Sequence, residues 1–197
     1  MQFKAFEPNI EVNGPTVNSI IAGLGHFTNL SRRFFSQVGI GTVINKELHI
    51  DMDGWYKQSA WLEAFENIAK TVGDRVLFNI GLSVPANAQF PPWVVDVDSA
   101  IKAIDIAYHL NHRKNGMILF NPENGSMSEG IGHYGYERIP GEKKIISKSH
   151  NPYPCAFDQG IITAMAHMFA PLANVKHDDT KECRKKGADS CTYVITW

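Results

Sequence analysis

Three thiols, Cys155, Cys183 and Cys191, are the residues of this 197-residue chain best suited to chemistry. The last two flank the polar stretch Arg184-Lys185-Lys186-Gly187-Ala188-Asp189-Ser190. If that stretch is a hairpin tip, its ends lie on adjacent strands about 4.8 Å apart, so both sulfurs can reach one cation through bonds of about 2.3 Å. Cys155 follows Pro152 and Pro154 at the expected start of the last long helix, where the helix dipole favours a thiolate, and can supply a third ligand. His177 and Glu182, on the segment leading to Cys183, rank first as a fourth donor, ahead of Asp178 and Asp179. The same three residues also suit plain burial or a redox pair. Their odd number argues against a disulfide framework.

A second group of side chains suits ligand binding. Tyr108, His109 and His112 lie together near the end of a central helix, and His133, Tyr134 and Tyr136 lie in a glycine-rich strand. Rings with polar tips can orient a ligand in a mostly apolar pocket, although an ordinary core or surface role is the first reading for any one of these histidines. His109 and His112, spaced i and i+3, could also ligate haem iron or a second metal. Trp55 heads an aromatic group with Trp61, Phe65, Phe78, Phe90 and Trp93, which fits either a core or the lining of an aromatic-binding cavity.

Gly130 to Gly135 spells G-x-G-x-x-G, but extended chain and Pro140-Gly141 follow where a dinucleotide fingerprint needs a helix. It reads as a strand that bends. Asp51-x-Asp53 reads as helix-capping residues rather than a hard-cation site. G-x-S-x-G, H-E-x-x-H and P-loop motifs are absent, so no residue is assigned a catalytic role and an enzyme is the second reading.

These residues must be held by regular elements. Asn13-Gly14-Pro15-Thr16 opens an amphipathic helix running to Val38 and stopping at Gly39, followed by a strand from Thr42 to Ile50. Asp51 to Gly54 then caps a helix carrying Trp55 to Ala69, with a shorter helix from Asp74 to Leu82 and a loop from Pro85 to Pro92. Asp96 or Asp98 caps a helix reaching His112, with Asn115-Gly116 as its stop. Strands at Met117 to Phe120, Gly130 to Arg138 and Lys143 to Lys148 follow, then a helix from Cys155 to Phe169. A hairpin of Val175 to Lys181 with Thr192 to Trp197 ends the chain. The expected class is α+β, with a helical N-terminal half packed on an antiparallel sheet that carries a C-terminal helix and hairpin. One domain over 1–197 is expected, mainly helical over 1–115.

The order of Cys155, the run Glu182-Cys183-x3-Gly187-x3-Cys191 and the strand Thr192-Tyr193-Val194 resembles the 4-vinyl reductase-like domain, over 116–197. That small-molecule-binding module is similar to the sensor domains of aromatic-responsive activators. It shares its fold with transport-particle subunits and haem-nitric-oxide-associated domains. The resemblance implies a zinc ion near a buried pocket, with Cys155, Cys183 and Cys191 as ligands. Those sensors place a glutamate three residues before the middle cysteine, and Thr180 stands there in this chain. It further implies a sensory or carrier domain for a small aromatic or tetrapyrrole-like ligand, with zinc as the expected cofactor and haem a remote one. A homodimer and a separate signalling partner protein accompany that reading. The alternatives are an enzyme or assembly factor acting on a tetrapyrrole or aromatic substrate, and a dimeric protein-binding adaptor.

Composition narrows the partners. Nineteen basic and twenty acidic residues leave a net charge of -1, so no global field draws the chain to nucleic acid or an acidic membrane. The densest basic run, Arg184-Lys185-Lys186, reads as a solvated hairpin tip. No apolar run approaches the roughly 18 residues of a membrane span. The start MQFKAFEPNIEVNG lacks secretory-signal features, so a cytoplasmic location is expected.

Overall fold

In the computed structural model, which describes all 197 residues apart from the side chains of His26, Thr28 and Asn87, local chemistry sets most element starts. β1 (Ile10–Asn13) leads into α1 (Gly14–Gly23), where the Asn13 side chain accepts the Thr16 N–H at 3.0 Å and Pro15 occupies the first turn. The single helix expected up to Val38 is two. α1 ends next to Leu24, a 3-10 turn at Gly25–Phe27 begins with Gly25 at φ +52°, and α2 (Thr28–Gln37) follows.

The strand expected from Thr42 to Ile50 is a hairpin of β2 (Thr42–Ile44) and β3 (Glu47–His49). Asn45 and Lys46 both take positive φ, which a two-residue turn of matching twist requires. Trp55, expected on a helix, lies instead in β4 (Trp55–Lys57), which pairs antiparallel with β1 so that Trp55 sits opposite Asn13. α3 (Gln58–Ser83) follows, and Gly73 at φ 75°, ψ 174° breaks it into the two helices the sequence pattern suggests.

α4 (Val97–Leu110) has Asp96 as its cap, with the Ser99 N–H and Oγ–H both directed at the Asp96 carboxylate. It stops before Asn115-Gly116. Those two residues, at φ 52° and 82°, turn β5 (His112–Lys114) into β6 (Met117–Ile118). His112 is thereby moved off the helix and onto a strand of the four-stranded sheet β4-β1-β5-β6.

The second sheet holds β7 (His133–Tyr134), β8 (Glu137–Arg138), β9 (Lys144–His150), β10 (Asn174–His177) and β11 (Cys191–Thr196). Its order is β10-β11-β9-β7, all neighbours antiparallel, with β8 also on β9. Within the glycine-rich stretch Gly132 takes φ +74°, and a Cβ there would lie 1.9 Å from the His150 carbonyl oxygen, so the chain bends where only glycine fits.

α5 (Cys155–His167) packs on α3. Their contact rests on two glycines. A Cβ at Gly81 would lie 2.1 Å from the Phe157 carbonyl oxygen, and one at Gly160 would lie 2.2 Å from that of Phe78. Phe35, Trp61 and Phe65 stack beside this contact at centroid distances of 5.2 and 5.3 Å. The architecture is α+β, with the helical N-terminal half packed against antiparallel sheets. No helix among the described residues is long and apolar enough to cross a membrane.

Candidate functional site

α1, α4 and α5, with the segment around Val84 to Phe90, line a partly open cavity of about 120 Å3. Its walls are largely apolar, formed by Ile20, Phe90, Ile104, Phe157, Ile161 and Met165 among others. Four polar-tipped rings, Tyr108, His112, Tyr134 and Tyr153, reach it as well. Each spends its polar atom on the protein. The Tyr108 hydroxyl donates to the Ile131 carbonyl at 2.8 Å, and Tyr134 donates to Asp158 at 2.6 Å. His112 bonds the Tyr108 carbonyl through Nδ1 at 2.7 Å and the Tyr153 hydroxyl through Nε2 at 2.8 Å.

Burial sets the protonation of this group. It pushes the His112 imidazole down to about 4, so the ring is neutral near pH 7, donating from Nδ1 and accepting at Nε2. It pushes the hydroxyls of Tyr108, Tyr134 and Tyr153 up, keeping all three as donors. With these bonds made, the cavity presents mostly carbon to an entering molecule.

The side chains singled out for ligand binding divide. Tyr108, His112 and Tyr134 line the cavity, whereas His109, His133, Tyr136 and Trp55 do not. His109 is fully buried and its ring stands 4.8 Å from that of His133. Tyr136 donates to Asp98, and the Lys102 ammonium lies 4.6 Å over its ring. Trp55 lies under the Arg113 guanidinium, also at 4.6 Å. His109 and His112 do not converge on one metal, because the helix ends between them. Tyr153, placed between two prolines, gave no periodic signal for its cavity position.

The thiols converge. Sulfur to sulfur, Cys155 lies 3.0 Å from Cys191 and 3.6 Å from Cys183, and Cys183 lies 3.8 Å from Cys191. His177 joins them, with one ligand atom from each of the four residues within 4.8 Å of the others. Glu182 does not. Its exposed carboxylate accepts the Ser190 hydroxyl at 2.6 Å and the Lys148 ammonium at 2.9 Å, and these partners hold its pKa below the usual range. The hydrogen bond with Cys155, aided by the nearby Arg184, brings the Cys191 thiol down against the opposing effect of burial. The same bond pushes Cys155 up.

Arg184 departs from the expected solvated tip. It is 1% exposed, and its guanidinium pairs with the fully buried Asp158 at 2.5 Å. Asn151 donates to Asp158 at 3.0 Å and accepts from Arg184 through both its backbone and its side-chain oxygen. Burial pushes the Asp158 carboxyl up, while Arg184, Tyr134 and Asn151 oppose that shift. The backbone N–H of Arg184 reaches Cys191 Sγ at 3.4 Å. Lys185 and Lys186 remain exposed.

No family model matches the chain, and no curated protein does. Solved structures do. An H-NOX protein from S. oneidensis in its Fe(II)NO state matches with a TM-score of 0.60 at 15% identity, over 93% of this chain and 97% of that one. A mutant of the K. algicida H-NOX protein in its unliganded Fe(II) state gives 0.60 at 14% identity, over 93% and 95%. An H-NOX family structure probing heme distortion gives 0.61 at 13% identity, over 94% of each chain. The fold is that of the H-NOX domains. The match runs through 1–115 as well, so the first half, which carries no family motif, is part of the same fold. Of the expectations drawn from the C-terminal motifs, the fold shared with haem-nitric-oxide-associated domains agrees with this likeness.

The expected ranking of cofactors does not survive the match. Zinc was placed first and haem was remote, yet the solved domains sharing this fold are described by their iron ligation state or their heme. The group these neighbours carry is thus haem and not zinc.

Proposed function

We propose that this H-NOX-fold domain is a sensory or carrier module that takes a small, apolar, single-ring molecule between α1, α4 and α5. The observation carrying this reading is the cavity of about 120 Å3 with its polar rim already satisfied. An apolar protein cavity of roughly 150 Å3 takes up benzene, so one ring matches the available space. In this reading the relation to 4-vinyl reductase-like sensors lies in the use of the cavity, and output passes to a separate partner or through a homodimer.

Haem, the group the fold implies, can be set against the same residues. The His112 donor suits it in part, being a neutral imidazole whose Nδ1–H is fixed on a carbonyl, the arrangement common to metal-bound histidine. The space does not suit it. Even drug-sized ligands need roughly 300–1,000 Å3, and the His112 Nε2 is taken by Tyr153. A macrocycle does not fit these walls.

The four donors Cys155, His177, Cys183 and Cys191 form, in the same reading, a ligand shell for a soft cation beside the cavity. Its role is structural, so metal removal should lower the unfolding midpoint.

A thermal-shift panel of benzene, phenol, cresols and hemin tests the cavity. Single-ring compounds should stabilise the chain saturably, by about 2.7 kcal/mol at a hundredfold excess over Kd. Ala103→Phe, which fills the cavity from α4, should abolish the effect. Stoichiometric uptake of hemin that His112→Ala eliminates would overturn the reading.

A further inference from the structure

On the side of α4 away from the cavity, Asp105, His109 and His133 bring one ligand atom each to within 4.8 Å of the others. Asp105 and His109 are one helical turn apart on α4, and His133 is the first residue of β7. The Asp105 carboxylate bonds His133 Nδ1 at 2.9 Å and the backbone N–H of Tyr134 at 2.8 Å, and it lies 3.6 Å from His109 Nδ1. Glu129 stands at the rim, 3.2 Å from His133 Nε2.

The decisive feature is His109. Its side chain is fully buried, its Nδ1 bonds the Asp105 carbonyl oxygen at 2.8 Å, and its Nε2 has no hydrogen-bond partner among the described residues. A buried ring nitrogen without a partner costs free energy. The bond from Nδ1–H to a carbonyl selects the tautomer in which Nε2 carries a free lone pair, as in metal-ligating histidines.

We infer that Asp105, His109 and His133, with Glu129 at the rim, bind a divalent first-row transition ion. Two imidazoles and a carboxylate suit ions such as Fe2+, Co2+ or Ni2+ and leave coordination positions open. His133 and Glu129 are exposed enough for an ion to enter from solvent. The site differs from the thiol cluster in donor type, in lying against β7, and in opening to water.

Cobalt titration of the chelator-treated full chain tests this. Co2+ bound by nitrogen and oxygen shows weak visible bands alone, whereas thiolate ligation adds an intense near-ultraviolet charge-transfer band. The wild-type chain should bind one equivalent without that band. His133→Ala, at a half-exposed position that folding tolerates, should weaken this equivalent at least about tenfold while leaving far-ultraviolet circular dichroism and thiolate-bound cobalt unchanged. Asp105→Asn should weaken it too. The inference is overturned if every bound cobalt carries the thiolate band, if none binds outside the thiols, or if His133→Ala binds as the wild type does.

Discussion

Acidification should destabilise the chain in part through His112, before its carboxylates matter. In the folded state burial holds His112 down to about 4, against 6.5 when exposed. Between those values the unfolded chain takes up a proton that the folded chain refuses, so stability falls as pH drops through this window. A shift of about 2.5 units at 1.36 kcal/mol each gives roughly 3 kcal/mol, fully expressed near pH 4. For a domain of this size that corresponds to about 6–12 °C in unfolding midpoint.

Other groups titrate in both states. Asp96 and Asp178 have lowered folded values, so the stability they add is lost only as pH falls below the ordinary carboxylate range. His133 is raised by Asp105 and Glu129 against the opposing effect of burial, so its contribution is present below 6.5 and lost as pH rises above it. Comparison with His112→Gln, which cannot titrate but keeps an acceptor and a donor, removes these shared terms. The assay is urea unfolding of both proteins from pH 7.5 to 4.5. The wild type should lose stability relative to His112→Gln by an amount that grows toward acid. Parallel curves, or an NMR titration of the His112 ring near 6.5, refute the argument.

Two further outcomes follow from the packing. Asp158→Asn or Arg184→Met leaves one buried partner without its counter-charge and should cost about 3–5 kcal/mol in urea unfolding, whereas Asp158→Leu combined with Arg184→Met should cost much less than the sum. Gly81→Ala and Gly160→Ala each drive a Cβ to about 2 Å from a carbonyl oxygen across the α3 and α5 contact. Each should cost on the order of 1–3 kcal/mol in urea unfolding.

What the sequence revealed is what local chemistry decides. Asn13 and Asp96 announced α1 and α4 because a side-chain acceptor at a helix start acts within three residues. Pro154 before Cys155 announced α5 for a different reason, because a proline there suits the extended entry to a helix and makes no side-chain cap. Asn115-Gly116 misled because a left-handed pair serves a helix stop and a hairpin turn equally, and only the pairing of β5 with β1, about 100 residues earlier, selects the hairpin. Trp55–Lys57 became a strand through the same distant partner. The burial of Arg184 was hidden because Asp158 meets it only after α5 packs against the second sheet. Two lysines beside it made the run look like surface. Spacing brought the three thiols together on paper, yet it ranked Glu182 with His177. Glu182 lies past the end of β10, where Lys148 and Ser190 draw its carboxylate outward.

The cavity and the thiol cluster are physically continuous. Tyr134 in the cavity wall bonds Asp158, and Asp158 pairs with Arg184, whose backbone N–H bonds Cys191. On the other side, Tyr153 bonds His112 in the cavity, while its own N–H bonds the Asn151 side chain at 2.9 Å and Asn151 holds Arg184. Asn151, Asp158 and Arg184 are each at most 1% exposed, so water cannot replace a bond that breaks among them. A molecule that enters the cavity and turns Tyr153 away from His112 must therefore move Asn151 or strand a buried donor. The first course shifts Arg184, which Asn151 holds, against Cys191. The warrant for coupling is this shared set of buried bonds rather than proximity, and it gives a ligand in the cavity a route to the thiols without a change of fold.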